Sequence, residues 1–127
     1  MNDLDMNGRQ ITGKAGEDAA CRMLEEKGMM IVARNYRSGH YELDIVAVDG
    51  EGLRIVEVRT RTEGDISPAS TVDRRKQSNV VAAARKFISE NEEFSGYEVF
   101  FDIVGVTVVD KNMVLDYIPK AYIPLYV

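Results

Sequence analysis

The sequence YELDIVAVDGEGLRIVEVRTR, residues 41–61, predicts two β-strands joined by a tight turn, and these strands anchor the predicted sheet. Apolar and β-branched residues dominate both halves, and the DGEG sequence between them is typical of a hairpin. Side chains alternate between the two faces of a strand, so Glu57 and Arg59 are predicted to share a face. Alternation in the first strand places Glu42, Asp44, Val46 and Val48 on one face, and Tyr41, Leu43, Ile45 and Ala47 on the other.

Two acidic residues, Asp44 and Glu57, lie in the middle of these apolar strands. A carboxylate in such a position is costly to bury unless another group compensates its charge. One divalent cation can satisfy two carboxylates on neighbouring strands. With one cysteine, Cys21, and one histidine, His40, the chain has too few ligands of the kinds that structural zinc sites use. We therefore expect oxygen ligands, which favour magnesium, manganese or calcium.

Composition limits the class of protein. The 127 residues fit a single domain, and no run reaches the roughly eighteen apolar residues that a membrane span requires. The polar start has no signal-peptide core, and a lone cysteine fits a reducing compartment, so we expect a cytoplasmic protein without membrane association.

The net charge of −5 argues against a generic nucleic-acid binder, but the charge is unevenly distributed. Residues 54–86 hold eight Lys or Arg against four Asp or Glu, a net of +4, and the remainder holds eight against seventeen, a net of −9. The basic part is the one that contains Glu57, as a surface following phosphates would need. Taken alone, a solvated helix face explains this excess better.

The remaining pattern predicts two helices and further strands in the order α-β-β-β-α-β-β, an α/β fold with a central mixed sheet flanked by the two helices. Residues 1–12 are predicted to be a flexible arm, and residues 13–127 a single domain. A Pro-containing tail follows the last strand, and Pro119 and Pro124 are expected to interrupt any regular element there. The predicted helices span residues 13–27 and about 71–91, and the predicted strands span 29–35, 41–48, 53–61, 97–109 and 113–118.

Each predicted helix carries one charged residue on its apolar side. Glu17 falls at the centre of the side formed by Gly13, Ala20, Cys21 and Leu24. As an acid near the N-terminus of the helix, Glu17 could interact favourably with the helix dipole. We favour a functional role instead.

Lys76 lies within the stripe of Val72, Val80, Ala83, Ala84 and Phe87. Its stem could cover the edge of the core with the ammonium in water, or its amine could reach the acidic residues; both interpretations remain open. Asp102, in the predicted central strand, is interpreted as a structural hydrogen-bond acceptor, and Tyr122 as either a partner contact or tail packing.

Residues 13–104 resemble a known family in order and spacing, through GKAGEDAACRMLEEKGMMIVARNYRSGHYELDIVAVDG, LRIVEVRTRT, DRRKQSNVVAAARKFI and FFDIV. The resemblance is to the YraN-like family of small bacterial proteins of unassigned function. That family is similar to the restriction-endonuclease-like superfamily, whose signature is PD-(D/E)XK, and is grouped beside archaeal Holliday-junction resolvases. The resemblance implies a restriction-endonuclease-like core.

Carried over by position, the resemblance assigns the helical acid to Glu17, the strand acid to Asp44 and the (D/E)XK element to Glu57-Val58-Arg59. The second-helix lysine corresponds to Lys76. This chain departs from the pattern in having Tyr41-Glu42 where the family shows Gly-Glu, and Arg59 where the signature has lysine. Arginine can supply charge but cannot act as a base, so our hypothesis is that Lys76 supplies the missing ammonium.

The resemblance implies a metal-dependent endonuclease that hydrolyses phosphodiester bonds of DNA, structure-specific or non-specific, with no nucleotide cofactor. Mg²⁺ or Mn²⁺ would be held by Asp44, Glu57 and the carbonyl of Val58, and by Glu17 directly or through water. Arg59 or Lys76 would stabilise charge on the transition state. A homodimer is inferred from the resemblance alone, and Arg61, Arg74 and Arg75 are expected to contact the nucleic acid.

Two alternatives remain open. One is a catalytically weak or inactive module of the same fold that binds nucleic acid or a protein partner. The other is a small scaffold with no nucleic-acid role, which would explain the overall acidity.

Overall fold

The protein is described by a computed structural model that covers residues 8–62 and 73–123, with side chains described from residue 13 onward. Two helices and five strands make up these segments, with a short 3₁₀ turn at Glu92–Phe94. They are, in chain order, α1 (Gly8–Glu26), β1 (Met30–Ser38), β2 (Tyr41–Val48), β3 (Leu53–Thr62), α2 (Arg74–Glu90), β4 (Val99–Val109) and β5 (Asn112–Tyr122).

The five strands form one sheet in the order β1-β2-β3-β4-β5. Neighbours pair antiparallel except for β3 and β4, which run parallel in register from Leu53↔Val99 to Thr62↔Val108. A parallel pair needs a crossover connection, and α2 lies in that connection. The predicted α/β class, with a mixed sheet and the order α-β-β-β-α-β-β, is confirmed.

The sheet separates two apolar cores, one under each helix. The α2 core includes Val80, Ala83, Ala84 and Phe87 with Leu53 and Ile55 of β3. The α1 core includes Ala20, Cys21 and Leu24 with Val56 of β3 and Val104 and Val106 of β4. Alternate residues of β3 therefore enter opposite cores, as its alternating pattern requires. Glu57 follows Leu53 and Ile55 by the same period and lies on the α2 side.

The two helices begin at positions different from those predicted. Helix α1 begins at Gly8, so the last five residues assigned to a flexible arm are helical. Helix α2 begins at Arg74, and Asp73 is its N-cap, its carboxylate accepting a hydrogen bond from the Lys76 amide at 2.8 Å. The sequence predicts Ser70 or Thr71 as the cap of this helix, but both lie outside the described residues, as do Val72 and Pro124. Within the described part of the chain, no helix is long and apolar enough to cross a membrane.

The prediction that Pro119 interrupts regular structure is wrong, because β5 continues through it to Tyr122. Two features make room for the proline. β5 is an edge strand, and its register against β4 shifts between the pairs of Phe101 and Ile103, where Lys120 has φ +52°. Edge strands and bulges tolerate the missing N–H of proline.

Candidate functional site

Asp44 ends the pairing between β2 and β3. The paired residues run from Val48↔Leu53 to Ile45↔Val56 and stop there. The Asp44 carboxylate then accepts a hydrogen bond from the backbone N–H of Val58 at 2.8 Å. The Asp44 side chain thus takes the place of a backbone carbonyl as the acceptor for β3, and this hydrogen bond holds its carboxylate beside β3.

The predicted alternation along β2 is wrong at this point. Leu43 packs in the α2 core together with Val46, whereas Ile45 and Ala47 pack in the α1 core. A regular strand would place Leu43 and Ile45 on one face. The interruption coincides with Asp44, where the strand leaves its pairing with β3.

Glu57 lies close to Asp44, and hereafter the two are called the carboxylate pair. Glu57 is buried, with 8% of its surface exposed, and Asp44 is partly buried. Burial, and next to it the charge of Glu57, raise the pKa of Asp44 to about 7. Burial also raises the pKa of Glu57, against the lowering effect of the nearby Lys76 charge. Two such carboxylates repel each other and favour a proton or a cation between them.

Lys76 contacts the carboxylate pair directly. Its ammonium nitrogen lies 3.2 Å from Oε2 of Glu57, while its side chain remains 47% exposed. Asp73 caps the first turn of α2 by accepting a hydrogen bond from the Lys76 amide, which orders the backbone that carries Lys76. Of the two interpretations of Lys76, the structure has the amine reaching the acidic residues.

Four arginines were predicted to act together with the carboxylate pair, namely Arg59, Arg61, Arg74 and Arg75. Arg59 lies on the same strand, and its positive charge opposes the rise in the pKa of Glu57. The Arg61 Nε donates a hydrogen bond to Oγ1 of Thr107 on β4 at 3.3 Å. Arg74 and Arg75 are exposed in the first turn of α2. The structure therefore places all four arginines on β3 or at the start of α2.

Glu17 is held by β1 rather than by the carboxylate pair. Its Oε1 accepts hydrogen bonds from Nη2 of Arg34 and from Nδ2 of Asn35, each at 2.9 Å. It is near enough that its charge adds a minor contribution to the raised pKa of Asp44. Among the residues with described side chains, no three His, Cys, Asp or Glu come together in a group that could hold a metal ion.

A close approach of α1 to the sheet positions Glu17. A Cβ atom on the preceding residue, Gly16, would lie 2.7 Å from Oγ1 of Thr60 on β3. A side chain at residue 16 would therefore require either a different rotamer of Thr60 or a shift of α1 away from β3. Glycine allows the helix to bring Glu17 to the end of the sheet where β2 and β3 separate.

Sequence reasoning missed two residues near the site, Arg34 and Asn35. Arg34 and Asn35 interrupt the apolar pattern of β1, and that polar pair was the available signal. Tyr122 stacks on Phe101, with ring centroids 5.5 Å apart, and burial and the charge of Glu57 both raise the pKa of its hydroxyl. Of the two interpretations of Tyr122, the structure therefore has tail packing.

Asp102 is a structural acceptor, as predicted. It is 1% exposed and accepts hydrogen bonds from Nη1 of Arg54, from the Tyr117 hydroxyl at 2.6 Å and from the Lys120 amide at 2.9 Å. Every acceptor of this carboxylate is thus used within the fold.

The carboxylate pair fits a hard divalent cation by its chemistry. All its side-chain donors are oxygens, the Val58 backbone is adjacent, and the mutual repulsion of the pair would be relieved by a cation. Mg²⁺ is commonly held by one or two carboxylates with water completing its shell. The ammonium of Lys76 would share Glu57 with such an ion.

The chain belongs to the family described as "Uncharacterised protein family UPF0102", which matches residues 16–106. Similar proteins include a UPF0102 protein of Bacteroides thetaiotaomicron, 42% identical over 88% of this chain and 92% of its own length. Another, from Anaeromyxobacter dehalogenans, is 40% identical over 93% of this chain and 88% of its own length. All of the carboxylates and Lys76 discussed above fall within the matched range.

A solved structure, that of Pyrococcus furiosus SfsA in complex with Ca²⁺, is similar at 17% identity with a TM-score of 0.42. The similarity covers 86% of this chain, which spans 62% of the length of that protein.

Proposed function

We propose that this protein is a metal-dependent endonuclease that hydrolyses phosphodiester bonds, with DNA as its substrate. The observation that carries the proposal is the carboxylate pair with the Lys76 ammonium 3.2 Å from Glu57. Two adjacent acids and a cation on one face of a sheet are what metal-assisted phosphoryl chemistry uses. The resemblance of the sequence to PD-(D/E)XK nucleases supports the same assignment.

In this proposal Asp44, Glu57 and the Val58 carbonyl hold Mg²⁺ or Mn²⁺, and Glu17 contributes through a water molecule. A bound ion would polarise the scissile phosphate and lower the pKa of a water that attacks it. Lys76 stabilises negative charge on the phosphorane, a kind of contribution that commonly amounts to several kcal/mol. Arg59 can bind phosphate oxygens in two places but cannot accept a proton.

The nucleic acid would lie along β3 and the start of α2. Arg74 and Arg75 are exposed there, and Arg61 lies on the same strand as Glu57. Such a surface contacts phosphates and does not read bases, so we propose structure-specific or non-specific cleavage. A homodimer, proposed from the resemblance, would be detected by sedimentation at several protein concentrations.

The first test is thermal unfolding with and without millimolar Mn²⁺, for the wild type and for Asp44→Asn. A ligand that binds only the folded state raises the midpoint by mass action. We expect a rise for the wild type that is lost in the variant, followed by cleavage of branched DNA by the wild type alone. Absence of any Mn²⁺-dependent rise in the wild type, with no cleavage, would overturn the proposal.

The assignment of Lys76 has a separate test in the same cleavage assay. We expect Lys76→Ala to reduce the rate at least about tenfold, the size of a single lost charge interaction in many active sites. If cleavage survives Lys76→Ala but is abolished by Arg59→Ala, then Arg59 and not Lys76 stabilises the charge of the transition state.

A second candidate is a module that binds nucleic acid without cleaving it. The observation in its favour is that Arg59 occupies the signature lysine position while Lys76 already neutralises Glu57. Mn²⁺-dependent stabilisation and DNA binding without cleavage would select this function.

A further inference from the structure

The contacts of Glu17 are unusual for an acid on the first helix of a small domain. Both donors come from consecutive residues of β1, Arg34 and Asn35, and both bond to the same oxygen, Oε1. The hydrogen bonds described for this carboxylate do not use Oε2. The side chain of Glu17 is 15% exposed, so the carboxylate is held in a mostly enclosed position.

Asn35 has a backbone conformation that would be unfavourable for most residues in a strand. Its φ is +52°, and it lies between the register pairs Arg34↔Ile45 and Tyr36↔Leu43. It therefore stands opposite Asp44 across the β1–β2 ladder. Asparagine is among the few residues other than glycine that adopt this region readily. In this conformation the side-chain amide of Asn35 reaches Glu17 on α1. The unusual backbone conformation of β1 and the position of Glu17 therefore depend on the same residue.

Arg34 fixes the rotation of α1 against β1. Its Nη2 contacts Glu17 at 2.9 Å and also Oδ1 of the next residue, Asp18, at 2.7 Å. Asp18 is in turn 3.8 Å from the ammonium of Lys14. A guanidinium that joins two consecutive carboxylates leaves the helix little freedom to turn.

We infer that Arg34 and Asn35 are positioning residues that hold Glu17 at a fixed distance from the carboxylate pair, so that Glu17 orients water at a divalent cation instead of binding it directly. This inference rests on the proposed function. Groups that orient ligands from outside the first coordination shell typically affect metal affinity about 10- to 100-fold.

Calorimetric titration with Mn²⁺ at pH 8 tests the inference on the full-length chain. Asn35→Gly removes the amide while permitting the same backbone conformation, so the fold without metal should keep its unfolding midpoint. We expect its Mn²⁺ affinity to fall about tenfold. Tyr36→Phe is the matched control, because it removes a 2.6 Å hydrogen bond from the neighbouring residue of β1 to Glu90 on α2. Its Mn²⁺ affinity should equal that of the wild type.

A double-mutant cycle with Glu17→Gln separates positioning from general stability. If Asn35 acts through Glu17, Asn35→Gly should have no further effect on Mn²⁺ affinity in the Glu17→Gln background. Wild-type affinity in Asn35→Gly, or an equal loss in both backgrounds, would overturn the inference while leaving the proposed function standing. Failure of the wild type itself to bind Mn²⁺ would overturn both. Should Asn35→Gly not fold, Arg34→Lys, which cannot join Glu17 to Asp18 in the same way, takes its place in the cycle.

Discussion

The protonation of Asp44 is linked to folding because its carboxylate moves from water to a position beside Glu57. Burial raises its folded pKa to about 7 from an ordinary value near 3.8. Between these two values the folded state holds more protons than the unfolded state, so this group lowers stability progressively as pH rises from about 4 to about 7. Above that window the penalty stays constant.

Asp44→Asn should remove this pH-dependent penalty while keeping an acceptor for the Val58 N–H. We expect the free energy of unfolding of the variant, minus that of the wild type, to increase by at least about 1.4 kcal/mol between pH 4 and pH 8, which corresponds to one pKa unit. Urea unfolding at a series of pH values in the presence of a chelator measures it. Asp116→Asn, which removes an exposed acid on β5, is the reference. A difference that is flat with pH would contradict the expected pKa.

The sequence predicted which charged residues belong to the site better than it predicted which residues they contact. Asp44 and Glu57 were predicted as one group, with two interpretations open for Lys76, and the structure brings Lys76 to Glu57. Glu17 was predicted as part of that group, but its direct partners are Arg34 and Asn35. A helical pattern shows which side of α1 carries Glu17, but it does not show which strand residues meet that side.

At the scale of elements, the β2–β3 hairpin is fixed to the rest of the sheet through Arg54. This residue is 3% exposed; its Nε is 2.9 Å from Oδ2 of Asp49, its Nη2 contacts Glu51, and its Nη1 is 3.3 Å from Asp102. The guanidinium also lies 4.5 Å from the ring centroid of Phe100. One side chain of β3 thus joins the turn before it to the strand beside it.

Arg54→Met should leave the buried Asp102 without its countercharge. Breaking one partner of a buried ion pair typically costs about 3–5 kcal/mol, and we expect a loss of that size in urea unfolding. Lys86→Met removes one partner of the exposed Lys86–Glu90 pair and should change stability by less than about 0.5 kcal/mol. Equal effects of the two substitutions would show that the polar network around Arg54 is not stabilising.

Two glycines in the same turn should respond differently to alanine. A Cβ on Gly52 would lie 2.2 Å from the backbone oxygen of Glu98, whereas a Cβ on Gly50 would meet nothing within 4 Å. Because the clash at Gly52 is with backbone, the two chain segments must separate, and we expect a loss of about 1–3 kcal/mol. Gly50→Ala should have little effect. Thermal unfolding of both variants tests this, and similar midpoints would contradict the close approach.

Comparison of predicted and observed strand boundaries shows where the local sequence pattern is sufficient to predict the ends of an element. The strand 41–48 was predicted with its observed limits, because the hairpin turn after it and Ser38-Gly39 before it define both ends. The extent of β5 was underestimated, because the tolerance of Pro119 depends on β5 being at the edge of the sheet. Edge position is a property of the assembled sheet and has no sequence signal in the strand itself.

At the scale of the whole molecule, the uneven charge predicts how DNA binding would depend on salt. An acidic chain whose residues 54–86 carry a net +4 should bind DNA weakly, with affinity falling steeply between about 50 and 200 mM salt. Arg74→Gln should reduce the slope of log affinity against log salt by about 1, the value of one phosphate contact. Fluorescence anisotropy with a labelled duplex measures the slope.

The control for that prediction removes an equal charge elsewhere. Lys111 is exposed in the turn between β4 and β5, outside the basic segment. Lys111→Gln should leave the slope as it is in the wild type. The same change in slope for both variants would indicate a response to net charge and not to a surface at the start of α2.

Local sequence pattern and composition were enough to predict the α/β class, the hairpin with its two acids and the uneven distribution of charge. These features follow from composition and from the apolar periodicities of 2 residues in strands and 3.6 residues in helices, which can be read from short segments of the chain. Packing of the folded chain brings Lys76 to Glu57, 19 residues away, Arg34 and Asn35 to Glu17, and Arg54 to Asp102, 48 residues away. The physical reason is that a buried charge must be compensated by whichever opposite charge packing brings within a few ångströms, and that distance exists only in the folded chain.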